Sequence, residues 1–359
     1  MQQFFTAMWY RQGWWSLLFL PLTWLFQILA LFRRHWQRRN ARKFSVPIIV
    51  VGNIAVGGTG KTPLVIAIVQ SLRQQGWHPA VVSRGYGSAA PHYPFAVTAT
   101  TAPASSGDEP LLIAQRTGVP VMIGADRIAA VEALLAINDT ENNEKKVDII
   151  VSDDGLQHYR MRRDIEVVVI DGQRGLGNGR CLPAGPLRES ATRLTQVDWV
   201  INNGELSDKN VAARLQTISK SEPKPKLKPK QTTMHIKPGA WVNLYDGNCL
   251  NVESMPTGEK MHAVAGIGNP QRFFDTLMAL GMDIIPHAFP DHHQFQATDI
   301  QFGDDYTIVM TEKDAVKCQP LISTCPVPKR YWCLQVEAEL EPQFFEQLDQ
   351  LCRQKNVNN

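Results

Sequence analysis

From residue 46 onward, short apolar runs rich in β-branched residues alternate with segments whose apolar residues recur at helical spacing. The runs at 46–51, 80–83, 119–123, 147–152, 165–170 and 197–201 predict strands, and 62–75, 109–116 and 127–137 predict helices. Strands that are apolar almost throughout, separated by helices, imply a mostly parallel sheet covered on both faces. Ligands of such sheets gather at the carboxyl ends of the strands, so residues there deserve the closest reading. A Lys/Pro-alternating run, KSEPKPKLKPK at 220–230, cannot build a core and predicts an exposed, extended insertion. The polar stretch 139–146 reads as a surface loop. The rhythm then resumes with strands at 261–266, 284–289, 306–310 and 331–336 and a helix at 270–280, predicting a second, smaller α/β domain.

The amino-terminal pattern is different. Residues 14–32, WWSLLFLPLTWLFQILALF, run without a charge. As a helix rising about 1.5 Å per residue they nearly match a hydrocarbon core of about 30 Å. Trp9, Tyr10, Trp14, Trp15, Trp24 and Trp36 suit interfacial anchoring, and Arg33, Arg34, Arg38 and Arg39 follow the run, placing that side in the cytoplasm. Charges that come mainly after the apolar run, with no small-residue cleavage site, exclude an ordinary signal peptide. Pro21, Thr23 and Gln27 interrupt the run, so a helix lying in the interface remains an alternative to a spanning one. The organisation expected is therefore a membrane helix with a basic flank at 1–43, a P-loop core domain at 44–217, the insertion at 218–232 and the smaller domain at 233–359.

Composition refines this picture in two ways. The 359 residues hold 37 Lys/Arg and 34 Asp/Glu, but seven of the basic residues and no acidic one fall within 1–43. Removing those seven leaves 30 basic against 34 acidic residues, and so mildly acidic a body excludes a general nucleic-acid binder. Six scattered cysteines with no CxxC pair exclude a disulfide framework and a thiolate zinc site.

The strongest chemical signal follows the first strand. Gly57-Gly58-Thr59-Gly60-Lys61-Thr62, with Pro63 in the first helical turn, is a glycine-rich phosphate loop opening a helix. Its glycines let successive N–H groups face phosphate oxygens; Lys61 would neutralise the β- and γ-phosphates, and Thr62 would offer its hydroxyl to Mg²⁺. The full motif has glycine where this chain has Ala55. Asp153 and Asp154 end a buried strand, where the acidic Mg²⁺ partner of a P-loop enzyme belongs, and His158 follows four residues later. Asp108 reads either as a helix N-cap or as a functional carboxylate. Arg84, Arg127 and Arg188, at strand ends and tight loops, together suggest capture of an anionic group on an acceptor. Residues 289–293, FPDHH, form a polar cluster whose adjacent histidines are poorly placed to share one metal.

In order, VGNIAVGGTGKTP, SRGYG, GDEP, GADR, SDDGLQH, AGPLRE, GIGNP, FPDHHQF and TEKDAVK resemble the tetraacyldisaccharide 4′-kinases, the inner-membrane lipid A kinases of Gram-negative bacteria. The resemblance runs from the amino-terminal helix to about Lys317. It implies transfer of the γ-phosphate of ATP, with Mg²⁺, to the 4′-hydroxyl of a tetraacylated glucosamine disaccharide 1-phosphate in the cytoplasmic leaflet. It also implies two α/β domains with the active site between them, and a monomer is expected. Carried over residue by residue, Lys61 and Thr62 match the loop's phosphate and Mg²⁺ residues, Asp153 and Asp154 the acidic pair, and Glu189 an assisting residue there. Asp108 matches the proposed base, supported by a histidine of the DHH block, with His292 favoured although the spacing alone does not exclude its neighbour His293. Arg84, Arg127 and Arg188 match positions that bind the acceptor lipid.

A membrane-associated ATPase switch of the partitioning type is the rival from another class. Such proteins carry a lysine near the start of a deviant loop, about where Val56 stands, and its absence counts against them.

Overall fold

The computed structural model describes residues 9–10, 14–140, 146–205, 229–256, 258–322, 325 and 327–357. Most of the Lys/Pro insertion lies outside the described residues, although Lys230, Gln231 and Thr232 begin a strand. In chain order the first strands are β1 (Ile48–Gly52), β2 (Pro79–Ser83), β3 (Phe95–Val97), β4 (Val121–Ile123), β5 (Ile149–Asp153), β6 (Ile165–Asp171) and β7 (Trp199–Asn203). They are followed by β8 (Lys230–Asn243), β9 (Cys249–Asn251), β10 (Lys260–Ala265), β11 (Asp283–Ala288), β12 (Thr307–Thr311) and β13 (Tyr331–Glu339). The chain divides into two compact units, one of Met1–Arg84, Gly124–His235 and Glu339–Asn359, the other of Gly85–Ile123 and Ile236–Ala338.

In the first unit the strand order is β8-β7-β6-β1-β5-β2, with parallel pairing between β1 and both β5 and β6. Every residue of β1, β2, β5, β6 and β7 is buried, as continuous apolar runs require. β1 lies centrally, between β5 and β6, so the loop that follows it opens at a switch point of the sheet. The helix Lys61–Gln74 buries Leu64, Val65, Ile68, Val69 and Leu72, which recur at helical spacing. The carboxy-terminal helix Pro342–Val357 belongs to this unit. Phe344 meets Trp199 edge-on at 4.9 Å, and the Trp77 indole N–H donates to Asp349 at 2.7 Å.

The amino-terminal segment is a 3-10 turn at Trp14–Phe19 and then an α-helix at Leu20–Arg39. Pro21 sits in the first turn of the α-helix, where no N–H is needed, and so starts the helix rather than breaking it. Polarity is inverted relative to a surface helix of a soluble protein. Ser16, Thr23 and Gln37 are buried, while Leu18, Leu22, Trp24, Ile28, Leu29 and Phe32 are exposed, Phe32 by 74%. The buried groups bond to the first unit: Thr23 donates to the Cys181 carbonyl and accepts from the Ala184 N–H, and Gln37 accepts from the Tyr159 N–H. Ser16–Arg39, with mean hydropathy 1.6, is long and apolar enough to cross a membrane.

In the second unit β10 pairs in parallel with β11 and β12, β12 with β13, and β9 runs antiparallel to the end of β8. β3 and β4 pair antiparallel. Alternation along β10 feeds two cores, Met261, Ala263 and Ala265 into one and Val264 into the other. Trp241, Phe273, Phe274 and Leu277 fill the first, and Ile300, Ile308, Met310 and Tyr331 the second.

Candidate active site

The phosphate loop stands on β1. Gly57 has φ 117° and Gly60 φ 85°, backbone conformations that favour glycine. Gly60 caps the helix Lys61–Gln74, whose first-turn N–H groups are left for an anion. Ala55, which stands where the motif has glycine, keeps negative φ and bridges antiparallel to Leu187. Nothing there requires glycine. The Val56 N–H donates to the Pro186 carbonyl and the Arg188 N–H to the Ile54 carbonyl, so the AGPLRE segment braces the loop's entry. Two asparagines brace it from within. Asn53 donates to the Gly57 carbonyl at 3.2 Å, and Asn203, at the end of β7, donates to the Thr59 carbonyl at 3.0 Å.

The acidic pair ends β5 beside that loop. Asp153 is buried and accepts from the Ser83 hydroxyl at 3.1 Å. Asp154 has φ 47°, and its Oδ1 lies 3.6 Å from Lys61 Nζ while Oδ2 lies 3.4 Å from Arg188. Burial pushes the Asp154 carboxyl up, but the charges of Lys61, Arg188 and Arg127 outweigh it and hold the group below the usual carboxylate range. Its Oδ1 is buried with no hydrogen bond, which fits a group completed by a cation. Among the described residues no three His, Cys, Asp or Glu side chains converge as a metal cage. Mg²⁺ takes one or two carboxylates and completes its shell with phosphates and water, so Asp153 and Asp154 could hold it.

The three arginines occupy different settings. Arg84 is exposed at the end of β2. Arg127 is 3% exposed, donates to the Gly124 carbonyl at 2.5 Å, and reaches the Asp153 carbonyl at 3.4 Å. Burial lowers its pKa to about 10 against the opposing pull of Asp153 and Asp154. Arg188 is part-exposed and shared between Asp154 and Gln157. Glu189 has both carboxylate oxygens engaged: Oε1 accepts from Gln157 at 3.0 Å, and Oε2 accepts from the Tyr159 hydroxyl. Arg193 and the helix residue Arg34 stand 3.6 and 3.8 Å from Oε2. Glu189 is thus joined to the aspartate pair through Gln157 and Arg188, and to the amino-terminal helix through Arg34.

Asp108 and His292 lie in the second unit. Gly107, at φ 79°, turns the chain so that Asp108 opens the helix Asp108–Thr117 with its side chain 9% exposed. His292 has φ 60°; it and Asp154 are the only non-glycine residues in the left-handed region among the described residues. Such strain persists where the surroundings impose it and clusters at functional sites. His292 Nδ1 lies 3.3 Å from Asp108 Oδ2. His293 is committed elsewhere, to Asp299 at 3.0 Å and to the Phe289 ring. Tyr86, Pro103, Asp108, His292, Phe295 and Lys317 line a cavity of about 300 Å³, the low end of ligand-pocket sizes.

A family model described as tetraacyldisaccharide-1-P 4′-kinase (LpxK) matches residues 15–353. The chain belongs to that family. It is a kinase, as the relatives' names agree. The tetraacyldisaccharide 4′-kinase of Pseudomonas putida (strain W619) is 47% identical over 324 residues, covering 88% of this chain and 87% of the relative. That of Ectopseudomonas mendocina (strain ymp) is 46% identical over 352 residues, covering 95% and 94%. A crystal structure of LpxK from Aquifex aeolicus in complex with ATP superposes with TM-score 0.72 at 23% identity, covering 94% of this chain and 98% of that one. It shares the fold.

Several residues of the kinase's two site regions escaped the sequence reading. Asn203, Gln157, Tyr159 and Arg193 owe their importance to partners far along the chain, whereas Asn53 acts locally, on the Gly57 carbonyl. Lys313 and Lys317 fall inside the TEKDAVK block, which was visible as a pattern without a role.

Proposed function

We propose that the chain transfers the γ-phosphate of ATP to the 4′-hydroxyl of a tetraacyldisaccharide 1-phosphate at the cytoplasmic face of the inner membrane. The observation that carries this reading is the family match along residues 15–353, which includes both site regions. In the first unit the loop 57–62 and the N–H groups of its helix cradle the triphosphate, with Lys61 countering its charge. Thr62, Asp153 and Asp154 would hold Mg²⁺, which when bound neutralises charge on the phosphates. Glu189 orients Gln157 and Arg188 beside that pair, and Arg84 and Arg188 offer charge to the anionic acceptor.

In the second unit Asp108 is the base. As the hydroxyl oxygen forms its bond to Pγ, the O–H bond breaks and its proton passes to Asp108. The bond from Pγ to the bridging oxygen breaks with its electron pair leaving on ADP. His292 fixes the carboxylate's orientation. The exposed apolar face of residues 20–32, followed in the same helix by Arg33, Arg34, Arg38 and Arg39, supports a helix seated in lipid with its basic end at the cytoplasmic headgroups.

The test is transfer of labelled γ-phosphate to purified tetraacyldisaccharide 1-phosphate in mixed micelles. Acceptor-dependent, Mg²⁺-dependent labelling of the lipid is expected. Hydrolysis of ATP at the same rate without acceptor would overturn the reading in favour of an ATPase switch.

A further inference from the structure

The TEKDAVK block forms the end of β12 and the first turns of the helix Glu312–Ile322. Thr311 and Asp314 cap that helix reciprocally: the Asp314 N–H donates to the Thr311 hydroxyl at 3.2 Å, and that hydroxyl donates to Asp314 Oδ2 at 2.6 Å. Asp314 Oδ2 also accepts from the Gly266 N–H at 2.8 Å, and the residue is wholly buried. Lys313 and Lys317, four residues apart, share one helix face. That face looks onto Asp108 and His292.

Lys317 Nζ lies 2.9 Å from Asp314 Oδ1 and 3.7 Å from Asp108 Oδ2, with the Phe295 ring centred 5.0 Å away. Its side chain is 4% exposed and Nζ makes no directed hydrogen bond, so charge pairing is what holds it. Lys313 Nζ lies 3.3 Å from Glu109, 3.4 Å from Asp291 and 3.5 Å from His292 Nε2. An ammonium group can only donate, so a hydrogen bond from Lys313 would be accepted by Nε2 of His292, leaving Nδ1 to face Asp108. The titratable groups around Asp108 are therefore His292, Lys313, Lys317, Glu109, Asp291, Asp314 and, across the cavity, Tyr86.

We infer that Lys317 is a positioning residue for phosphoryl transfer: pinned by Asp314, its ammonium group keeps Asp108 ionised and aimed as the proton acceptor. The inference rests on the kinase reading for its reaction, but not for its charge state. Burial alone pushes the Asp108 carboxyl up; the His292 hydrogen bond and the charges of Lys317 and Lys313 reverse this and hold it below the usual range. With Lys317 gone, burial and the neighbouring carboxylates Glu109, Asp291 and Asp314 would act on Asp108 with only Lys313 and His292 opposing them.

The experiment titrates the Asp108 carboxyl by ¹³C NMR in the full-length protein, the resonance being assigned by its loss in Asp108→Asn. In Lys317→Met the carboxyl should titrate at higher pH than in wild type, and Lys317→Arg should restore it. Because Lys317→Met strands Asp314 as a buried charge, the double variant Asp314→Asn/Lys317→Met keeps the comparison valid. It should show a rise in the same direction, smaller because a negative charge is lost too. In the transfer assay, kcat of Lys317→Met should fall about tenfold more at pH 5 than at pH 8. An Asp108 titration unchanged in both Met variants, or a pH-independent loss of kcat, would overturn the inference. A wild-type protein that labels no lipid would overturn the kinase reading, while the titration would still judge Lys317.

Discussion

His292 Nδ1 and Asp108 Oδ2 lie 3.3 Å apart although 184 residues separate them along the chain. The contact joins a helix start reached through Gly107 to a proline-punctuated loop that forces His292 into the left-handed region. Neither residue alone is distinctive. Together they make a buried carboxylate whose hydrogen-bond partner is fixed and whose burial is offset by that bond and by neighbouring positive charge.

Asp108→Asn should lower kcat about 10²–10⁴-fold with little change in the KM for ATP, because proton acceptance is lost while the phosphate loop is untouched. His292→Ala should lose less, and the double variant should be no worse than Asp108→Asn, since the two act as a unit. Steady-state kinetics on the lipid acceptor decide this, and near wild-type turnover in either single variant would remove the pair from the mechanism.

The glycines of the phosphate loop should differ sharply. A Cβ at Gly60 would meet Asn203 Nδ2 at 2.5 Å, at a φ of +85°, whereas a Cβ at Gly58 meets nothing within 4 Å at ordinary φ. Gly60→Ala should cost at least about 1 kcal/mol of stability and abolish measurable ATP binding; Gly58→Ala should leave the melting temperature within a degree or two. Calorimetric binding and thermal melts of the two variants give the comparison.

His158 should stay neutral through the physiological range. Burial disfavours its imidazolium first, and the charge of Arg127 adds to this against the pull of Asp126, taking the folded-state pKa to about 4. The unfolded chain binds that proton near pH 6.5, so this group takes stability away as pH falls from about 6.5 to about 4. Histidine ¹⁵N spectra at pH 5.5 should show His158 uncharged; an imidazolium there would contradict the account.

Charging the bare face of the amino-terminal helix should release the protein from lipid without unfolding it. Leu25 and Ile28 are 54% and 63% exposed. Leu25→Glu with Ile28→Lys should leave the melting temperature nearly unchanged while abolishing co-flotation with anionic vesicles. Thr23→Ala should do the opposite, costing about 1 kcal/mol of stability by stranding the Ala184 N–H while flotation persists.

Ala55 shows how local chemistry and tertiary context divide the explanation. The loop 57–62, its flanking strand and helix, the Asp153–Asp154 pair and the apolar amino-terminal run were all legible, because each depends on neighbours within a few residues. Glycine tolerates positive φ, a buried strand must be apolar, and a charge-free run of 19 residues has few destinations. Whether residue 55 also needed to be glycine was not legible, since its conformation is set by pairing with Leu187.

The rest depended on contacts between distant segments. That Thr23 and Gln37 turn inward and leave the leucines bare follows from acceptors and donors at Cys181, Ala184 and Tyr159. Which of two adjacent histidines faces Asp108 was decided by Asp299 capturing the other. Lys313 and Lys317 gained a role only when their helix face met the 108–109 and 291–292 segments. A linear pattern encodes periodicity and local backbone preference, whereas charge state and partner choice arise from desolvation and Coulomb terms that exist only once the segments are packed together.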